Sequence, residues 1–445
     1  MEKEVLSDGA WVFFGQISSA AGTLVGVRLL TEVLEPSVYG SVALVMGVVA
    51  LVLGVSSGGT LQAVLRLHPE CAREGTLNLL YGAASRSLRK STAWFAGVLA
   101  LGCGLYSVST QTSLWSIVFV PGLLILDTAC TYQLVLLNAA QRQRLTAAFL
   151  GVGSWVRMLC ALVGVKLLGA STESVMWGYL AGSGVLVAVF AGAARFPFTT
   201  RQPGVVSRAI SPESHGDIRA LEVEIYRYGR PLAFLGLVGW LSGQVDRYII
   251  GGVLGLSSAG QYAAIHGLVS KPFLMAGGSM ELALRQIFYE SVSARDVRQA
   301  RKVFWGWFAI AGAVGSLGVL VFSTLHAKIA LVLLAESYRE SAFIMPWIAI
   351  GYGLLLFAQV LERVCYAAKE TGRVLLIQSA GAISSLPILL AGVLWSGMAG
   401  AAAAVPCYFG LQLVLALVYA HHAARTHIGQ MRWRPARTGD QASGK

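Results

Sequence analysis

The sequence predicts an all-α polytopic membrane protein, with about twelve transmembrane helices in two pseudo-symmetric six-helix lobes. Composition, the alternation of basic and non-basic loops, and an internal repeat carry that prediction. Of 445 residues, 56% are hydrophobic and 13% charged, and the mean hydropathy is +0.65. Soluble chains do not have that balance. Stretches of about 18 or more mostly apolar residues, the length that crosses a bilayer as a helix, fall at 10–31, 38–65, 91–110, 113–138, 145–168, 173–194, 231–252, 257–281, 303–324, 342–364, 373–395 and 398–420. The 51 glycines fit the same class, because small residues let membrane helices approach closely. Gly22/Gly26, Gly54/Gly58, Gly178/Gly182 and Gly251/Gly255 have GxxxG spacing.

The net charge of +12 is a topology signal before it is a nucleic-acid signal. Of the 34 Lys and Arg, five (Arg28, Arg157, Arg247, Lys271, Arg363) fall within spans and three (Lys166, Lys328, Arg339) in one set of loops. The other 26 occupy the alternate loops and the tail. By the positive-inside rule both termini of this multi-pass membrane protein are cytoplasmic. The start, MEKEVLSDGA, is acidic and runs straight into a long apolar span, unlike a cleavable signal peptide. Six scattered cysteines without CxxC spacing predict neither a disulfide framework nor a zinc site, and no cofactor or metal is expected.

The polar stretch 196–230, with Pro197, Pro203 and Pro212, divides an N-terminal six-helix lobe (1–195) from a C-terminal one (231–420); a basic cytoplasmic tail follows at 421–445. Within that linker, DIRALEVEIYRY has helical spacing of Ile218, Leu221, Ile225 and Tyr228, as expected of a cytoplasmic helix that orients the seventh span. The halves share a pattern at an offset of 220 residues: VLEPSVYGSVA (33–43) against VLGLSSAGQYA (253–263). Both segments sit at the hairpin joining the first two spans of their half, and repeated halves are a transporter architecture.

Charges inside spans are the candidate functional groups. An ionised side chain at mid-bilayer costs about 2.5–3.5 kcal/mol on insertion scales, so those that persist there have a use. At about 1.5 Å per residue, Asp246 and Arg247 lie about 22–24 Å along span 7 and Arg28 about 27 Å along span 1, at matching depth. Arg157 is near the midplane of span 5, whereas Lys271 and Asp127 lie towards the cytoplasmic side. Pairing by depth predicts an Arg28–Asp246 bridge between lobes and a Lys271–Asp127 pair, with Arg157 and Arg247 left over. Glu281, Glu362 and Arg363 are expected to snorkel to the inner interface, and His266 to be a packed, hydrogen-bonded residue. Two spare guanidinium groups suit a phosphate or pyrophosphate, since Arg offers a bidentate fork and stays charged when desolvated. Substrate binding is therefore expected at Arg157, Arg247, Arg28 and Lys271, with Asp246 and Asp127 as structural or gating partners. A drug or cation exporter is the alternative, opposed by like-charge repulsion in low dielectric. Enzyme signals are poor: there is no GxxxxGK[ST], no HExxH and no GxSxG in a strand-turn-helix context, and the longest outer loop, 326–341, leaves little room for a polymerase or ligase site.

Three segments, RYGRPL (227–232), DRYIIGGVLG (246–255) and AGQYAA (259–264), together with RLLTEVLEPSVYG (28–40) and ESYRESAFIMPWIA (336–349), carry a resemblance. The chain resembles the polysaccharide transporter family, which includes Wzx-type O-antigen flippases, within the multidrug/oligosaccharidyl-lipid/polysaccharide exporter superfamily. It departs from that pattern at 335–337, where Ala-Glu-Ser replaces a common Gly, and at Lys271. The resemblance implies rocking of two six-helix lobes and inner-to-outer movement of an undecaprenyl-pyrophosphate-type lipid-linked glycan for lipopolysaccharide or other polysaccharide export. Membrane lipids, a glycan polymerase and glycosyltransferases are the partners it implies; nucleic acid is not.

The topology is testable directly. A cytoplasm-active reporter fused after Arg208 or Arg437 should give signal, and one fused after Ser257 should be silent; the reverse pattern would overturn the orientation and every depth above.

Overall fold

The structure, a computed structural model, describes residues 2–110, 114–195 and 214–428. It is a series of long helices: α1 (Glu2–Val33), α2 (Pro36–Glu74), α3 (Leu77–Thr110), α4 (Ser116–Ala139), α5 (Gln143–Leu168), α6 (Thr172–Arg195), α7 (Ser214–Leu254), α8 (Leu256–Ser293) and α9 (Val297–Leu333). A short α10 (Glu336–Arg339) precedes α11 (Met345–Ala367) and α12 (Thr371–Ala423). α12 is broken at Ser396 and Gly397 into arms 371–395 and 398–423. Gly397 has φ 57°, a left-handed value that a Cβ disfavours. Gly392 and Gly400 then meet backbone to backbone, so the two arms double back on each other. Counting the arms separately, each of the twelve expected spans falls on its own long helix.

Eight helices among the described residues are long and apolar enough to cross a membrane: α2 to α6, α9, the segment containing α11, and α12. Neither α7 nor α8 is among them. α7 begins with the polar residues 214–230 and carries Asp246 and Arg247; α8 carries His266, Lys271, Glu281 and Arg285. The expected linker helix is thus the beginning of α7, not a separate element. Ile218 and Ile225 are buried against Ala63, Val64, Leu67 and Leu80, while Arg86 and Lys90 of α3 reach Glu222 at 3.5 and 3.3 Å. Residues 196–213, with the three linker prolines, and 429–445 of the basic tail lie outside the described residues.

The chain divides into two compact units, Met1–Leu268 with Ala327–Ala342, and Val269–His326 with Phe343–Lys445. Within the first, α1 packs on α5, α5 on α6, and α2 on both α3 and α7. The α2–α7 crossing is made by glycines: Gly54 against Gly236 and Gly59 against Gly229. Trp240 Nε1 donates to Gly47 O at 2.7 Å, and the Tyr248 hydroxyl to Leu44 O at 2.6 Å.

The internal repeat meets itself in this unit. A Cβ on Gly40 would lie 2.1 Å from Leu256 O, and one on Gly260 would lie 1.8 Å from Pro36 O. The two contacts are equivalent under the 220-residue offset. Segment 335–342 docks beside them. The Tyr338 hydroxyl donates to Leu34 O at 3.0 Å, Ala335 N–H donates to Thr31 Oγ1 at 3.3 Å, and the Tyr338 ring stands edge-on to Tyr39 with centroids 5.9 Å apart. Gln261 donates to Ser337 O at 2.9 Å and accepts from Ser341 at 2.8 Å. Three stretches singled out in the sequence, 28–40, 259–264 and 336–342, therefore converge.

The crossing predicts a stability effect. Gly40→Leu or Gly260→Leu must push a backbone carbonyl aside and should cost at least about 1–3 kcal/mol, lowering the melting temperature of the protein in detergent. Gly267→Ala, on α8 where a Cβ meets nothing within 4 Å, should be neutral or mildly stabilising. Equal melting temperatures for all three variants would refute the crossing.

Candidate functional site

Arg157 reaches a cavity because α5 is held close to its neighbours by small residues. Gly15 of α1 lies against the Ala147 backbone, and Gly178 of α6 against Cys160 and Ala161. One turn further along α6, a Cβ on Gly182 would lie 2.9 Å from the Arg157 Cα. The next residue, Ser183, is thereby placed against α4, where its hydroxyl donates to Asp127 Oδ1 at 3.0 Å. Arg157 Nη2 addresses the same oxygen at 2.8 Å. Asp127 is 6% exposed, so its charge needs these partners.

The guanidinium side of this pair faces an open cavity of about 210 Å³. Its polar lining is Arg157 with the hydroxyls of Ser19, Thr131 and Ser154, and Phe149 and Leu186 form part of the apolar wall. Ser19 and Ser154 bond each other at 2.7 Å across α1 and α5. Asp127 is not part of the lining. The lining thus includes one cation, three hydroxyl residues and the Cys130 thiol.

A second cluster joins α7 and α8. The side chains of Asp246 and Arg247 do not pair, as expected for helix neighbours; Asp246 Oδ1 instead accepts the backbone N–H of Arg247 at 2.9 Å. His266 stands between the two side chains. Its Nδ1 is 3.5 Å from Arg247 Nη2 and its Nε2 is 3.6 Å from Asp246 Oδ2. Arg only donates, which assigns Nδ1 as acceptor and puts the imidazole proton on Nε2, towards Asp246. Arg247 Nη1 donates to Gln244 Oε1 at 2.5 Å, and Tyr262 stacks on the His266 ring with centroids 5.5 Å apart. Asp246 and His266 are 4% and 3% exposed.

Both charge pairs expected from depth are replaced. Arg28 bonds Glu32, four residues along its own helix, so it needs no partner on α7, and Asp246 is taken by a backbone N–H and His266. Asp127 is held by Arg157 and Ser183, because α4 packs on α5 and α6. Arg157 is consequently not a spare cation. The reading of His266 as a packed, hydrogen-bonded residue agrees with its geometry.

In the second unit Glu362 does not snorkel. It is 1% exposed, and its two oxygens accept from Gln378 and Gln412, one on each arm of α12, at 2.9 and 3.0 Å. Arg363 bonds Glu281 at 3.0 Å and lies over the Tyr366 ring, 5.1 Å from its centroid. Sequence reasoning missed Glu32, Ser183, Gln244, Gln378 and Gln412. Glu32 was legible as an i, i+4 partner; the others are neutral residues on apolar helices and carry no signal of their own. Among the described residues no group of His, Cys, Asp and Glu could hold a metal ion.

No family model matches the sequence, and no curated protein matches it. Solved structures do share the fold. A MOP superfamily transporter from Pyrococcus furiosus, described as having a binding pocket of reverse polarity, aligns over 96% of this chain and 95% of its own with TM-score 0.64 and 13% identity. A multidrug resistance MATE family transporter of the same superfamily, in an outward-facing conformation, covers 95% of each chain with TM-score 0.64 and 13% identity. A Vibrio cholerae MATE transporter covers 95% of this chain and 97% of its own with TM-score 0.60 and 14% identity. At these identities the likeness is one of fold, and the fold is that of MOP superfamily transporters.

Proposed function

We propose that this chain is a flippase that moves a polyprenyl-pyrophosphate-linked oligosaccharide from the inner to the outer leaflet of the cytoplasmic membrane by alternating access, with the repeats 1–195 and 231–420 as its lobes. The observation that carries the reading is the Arg157 cavity. The Arg157 side chain lines a largely apolar chamber that also carries Ser19, Thr131 and Ser154, with its carboxylate partner outside the lining. The chamber has a headgroup's dimensions, not those of a whole lipid-linked glycan, so the sugar and prenyl parts must lie outside it. That its fold neighbours are transporters, not enzymes, supports transport over glycan polymerisation or ligation. Arg247 is the second headgroup contact in this reading, and Arg28 and Lys271 are accessory cations.

A second reading, export of a drug or cation, draws support from two observations. MATE multidrug transporters share the fold, and the carboxylates Asp127 and Asp246 offset the charge of the two arginines. The readings separate by phenotype: loss of the protein should deplete surface glycan in the first and raise drug susceptibility in the second.

The arginines give the sharper test. Arg157→Lys keeps the charge but loses the planar fork, and should retain partial transport. Arg157→Gln should lose most of it at unchanged membrane expression; the same order is expected at Arg247. The measurement is surface glycan, or flipping in vesicles that hold the purified protein. Full transport by both Gln variants would remove the anion-binding reading.

A further inference from the structure

Several tyrosine hydroxyls of the first unit are spent on the protein itself. Tyr338 donates to Leu34 O at 3.0 Å, Tyr248 to Leu44 O at 2.6 Å and Tyr132 to Tyr81 O at 3.2 Å, while Tyr81 shares its hydroxyl with His68 at 2.9 Å. Tyr39 and Tyr179 differ. Both are half-buried and pack on one apolar cluster, which includes Val42 of α2, Ala161 and Val165 of α5, and Val175 of α6. Neither hydroxyl bonds a described residue, and neither is among the enclosed polar atoms that lack a partner. A hydroxyl that is neither bonded nor sealed in faces space that water or a ligand can enter.

The two stand in series between the arginines. On α6, Gly182 abuts the Arg157 Cα and Gly178 abuts Cys160 and Ala161, so Tyr179, between those glycines, sits on the turn next to Arg157. Its hydroxyl interacts electrostatically with Arg157 on one side and with Tyr39 on the other, and the Tyr39 hydroxyl interacts with Arg247. Gly47 of α2 closes on Tyr248, the neighbour of Arg247. The order is therefore Arg157, Tyr179, Tyr39, Arg247. Both tyrosines lie in the halves of α2 and α6 nearer the loops poor in Lys and Arg.

We propose that Tyr39 and Tyr179 are headgroup contacts, two neutral donors that hold phosphate oxygens between the Arg157 chamber and Arg247. The inference deepens the flippase reading and rests on it. A phosphate oxygen that leaves a guanidinium for an apolar wall loses a charge-assisted hydrogen bond and gains nothing. A phenol hydroxyl on the way replaces that bond without adding a further charge to trap the ligand. In the flippase reading the series leads from mid-bilayer towards the face at which export ends.

The test uses the full-length protein and two probes, farnesyl pyrophosphate and the uncharged farnesol, titrated in detergent; flipping of a fluorescent prenyl pyrophosphate is followed in vesicles that hold the protein. Loss of a hydrogen bond to a charged ligand weakens binding by about tenfold or more. Tyr179→Phe should therefore bind farnesyl pyrophosphate at least about tenfold more weakly than wild type, and Tyr39→Phe should flip the fluorescent probe at least about tenfold more slowly. Farnesol binding and melting temperature should not change in either. A packing role would move melting temperature and both probes together, which would overturn the proposal. Tyr132→Phe, which loses a bond to a carbonyl, is the contrast: it should lower the melting temperature and keep the preference for pyrophosphate over farnesol. Wild-type pyrophosphate binding in Tyr179→Phe, or wild-type flipping in Tyr39→Phe, would also overturn the proposal. Arg157→Gln separates the two levels. If it weakens pyrophosphate binding and the tyrosine variants do not, only the tyrosine contacts fail; if it binds as wild type does, or wild type itself binds no farnesyl pyrophosphate, the anion-site reading fails and the proposal with it.

Discussion

The close approach of Pro36–Gly40 to Leu256–Gly260 is the constraint on which the rest of the first unit depends. Each segment begins a long helix, and each offers a backbone carbonyl where the other's Cβ would stand. Only glycine at both positions permits that approach, and it brings two hairpins, 220 residues apart in sequence, into one place. Segment 335–342 then closes on them through Tyr338 and Gln261. Backbone groups that a membrane protein cannot leave unsatisfied, Leu34 O and Ser337 O among them, receive their donors at this junction. The same logic of glycine against backbone repeats down α2 and α7 and around α5, where it positions Arg157.

Because close packing decides which side chains meet, depth along a span was a poor guide to ion pairing. Depth put Arg28 level with Asp246, and the repeat placed it one residue from the counterpart of Arg247. Neither fact outweighs an acid one turn away on the same helix. Glu32 is such an acid, and an i, i+4 pair needs no inter-helix fit. Similarly, depth along the sequence put Asp127 and Lys271 together, but α4 packs on α5 and α6, and that adjacency selects Arg157. Charges in low dielectric seek the nearest partner, and nearness is a property of helix order that a single sequence does not state.

What was legible is what composition and period encode. Span positions follow from apolar runs, the break at 396–397 separates two spans that hydropathy alone had already divided, and the repeat offset located the Gly40–Gly260 crossing without showing that the repeats touch. The linker helix was read correctly as helical at 217–228 but not as the start of α7, since periodicity says nothing about where a helix joins the next. Glu362 was misplaced for a different reason. Its distance from the helix end resembles a snorkelling residue, whereas Gln378 and Gln412, ordinary polar residues in apolar helices, draw it inward. Neutral amides and hydroxyls are the recurrent blind spot: Ser183, Gln244, Gln378 and Gln412 all satisfy a charge, and none differs in sequence from a residue that merely packs.

The two arginine clusters are not equivalent. At Arg247, one nitrogen is committed to Gln244, another to His266, and the Nε is buried without a hydrogen-bond partner; Asp246 is nearly closed off. That guanidinium is oriented by its own helix and by α8, and a ligand would have to displace contacts already made. At Arg157, the contact with Asp127 uses Nη2, and the side chain, 31% exposed, still lines a chamber containing three hydroxyls. An anion there leaves the Asp127 contact of Arg157 in place, but a hydroxyl that turns to it gives up a bond already made, since Thr131 donates to Asp127 O and Ser19 and Ser154 bond each other. On the proposed reading, headgroup recognition would fall first on Arg157 and second on Arg247, whose contacts with Gln244 and His266 also join α7 to α8.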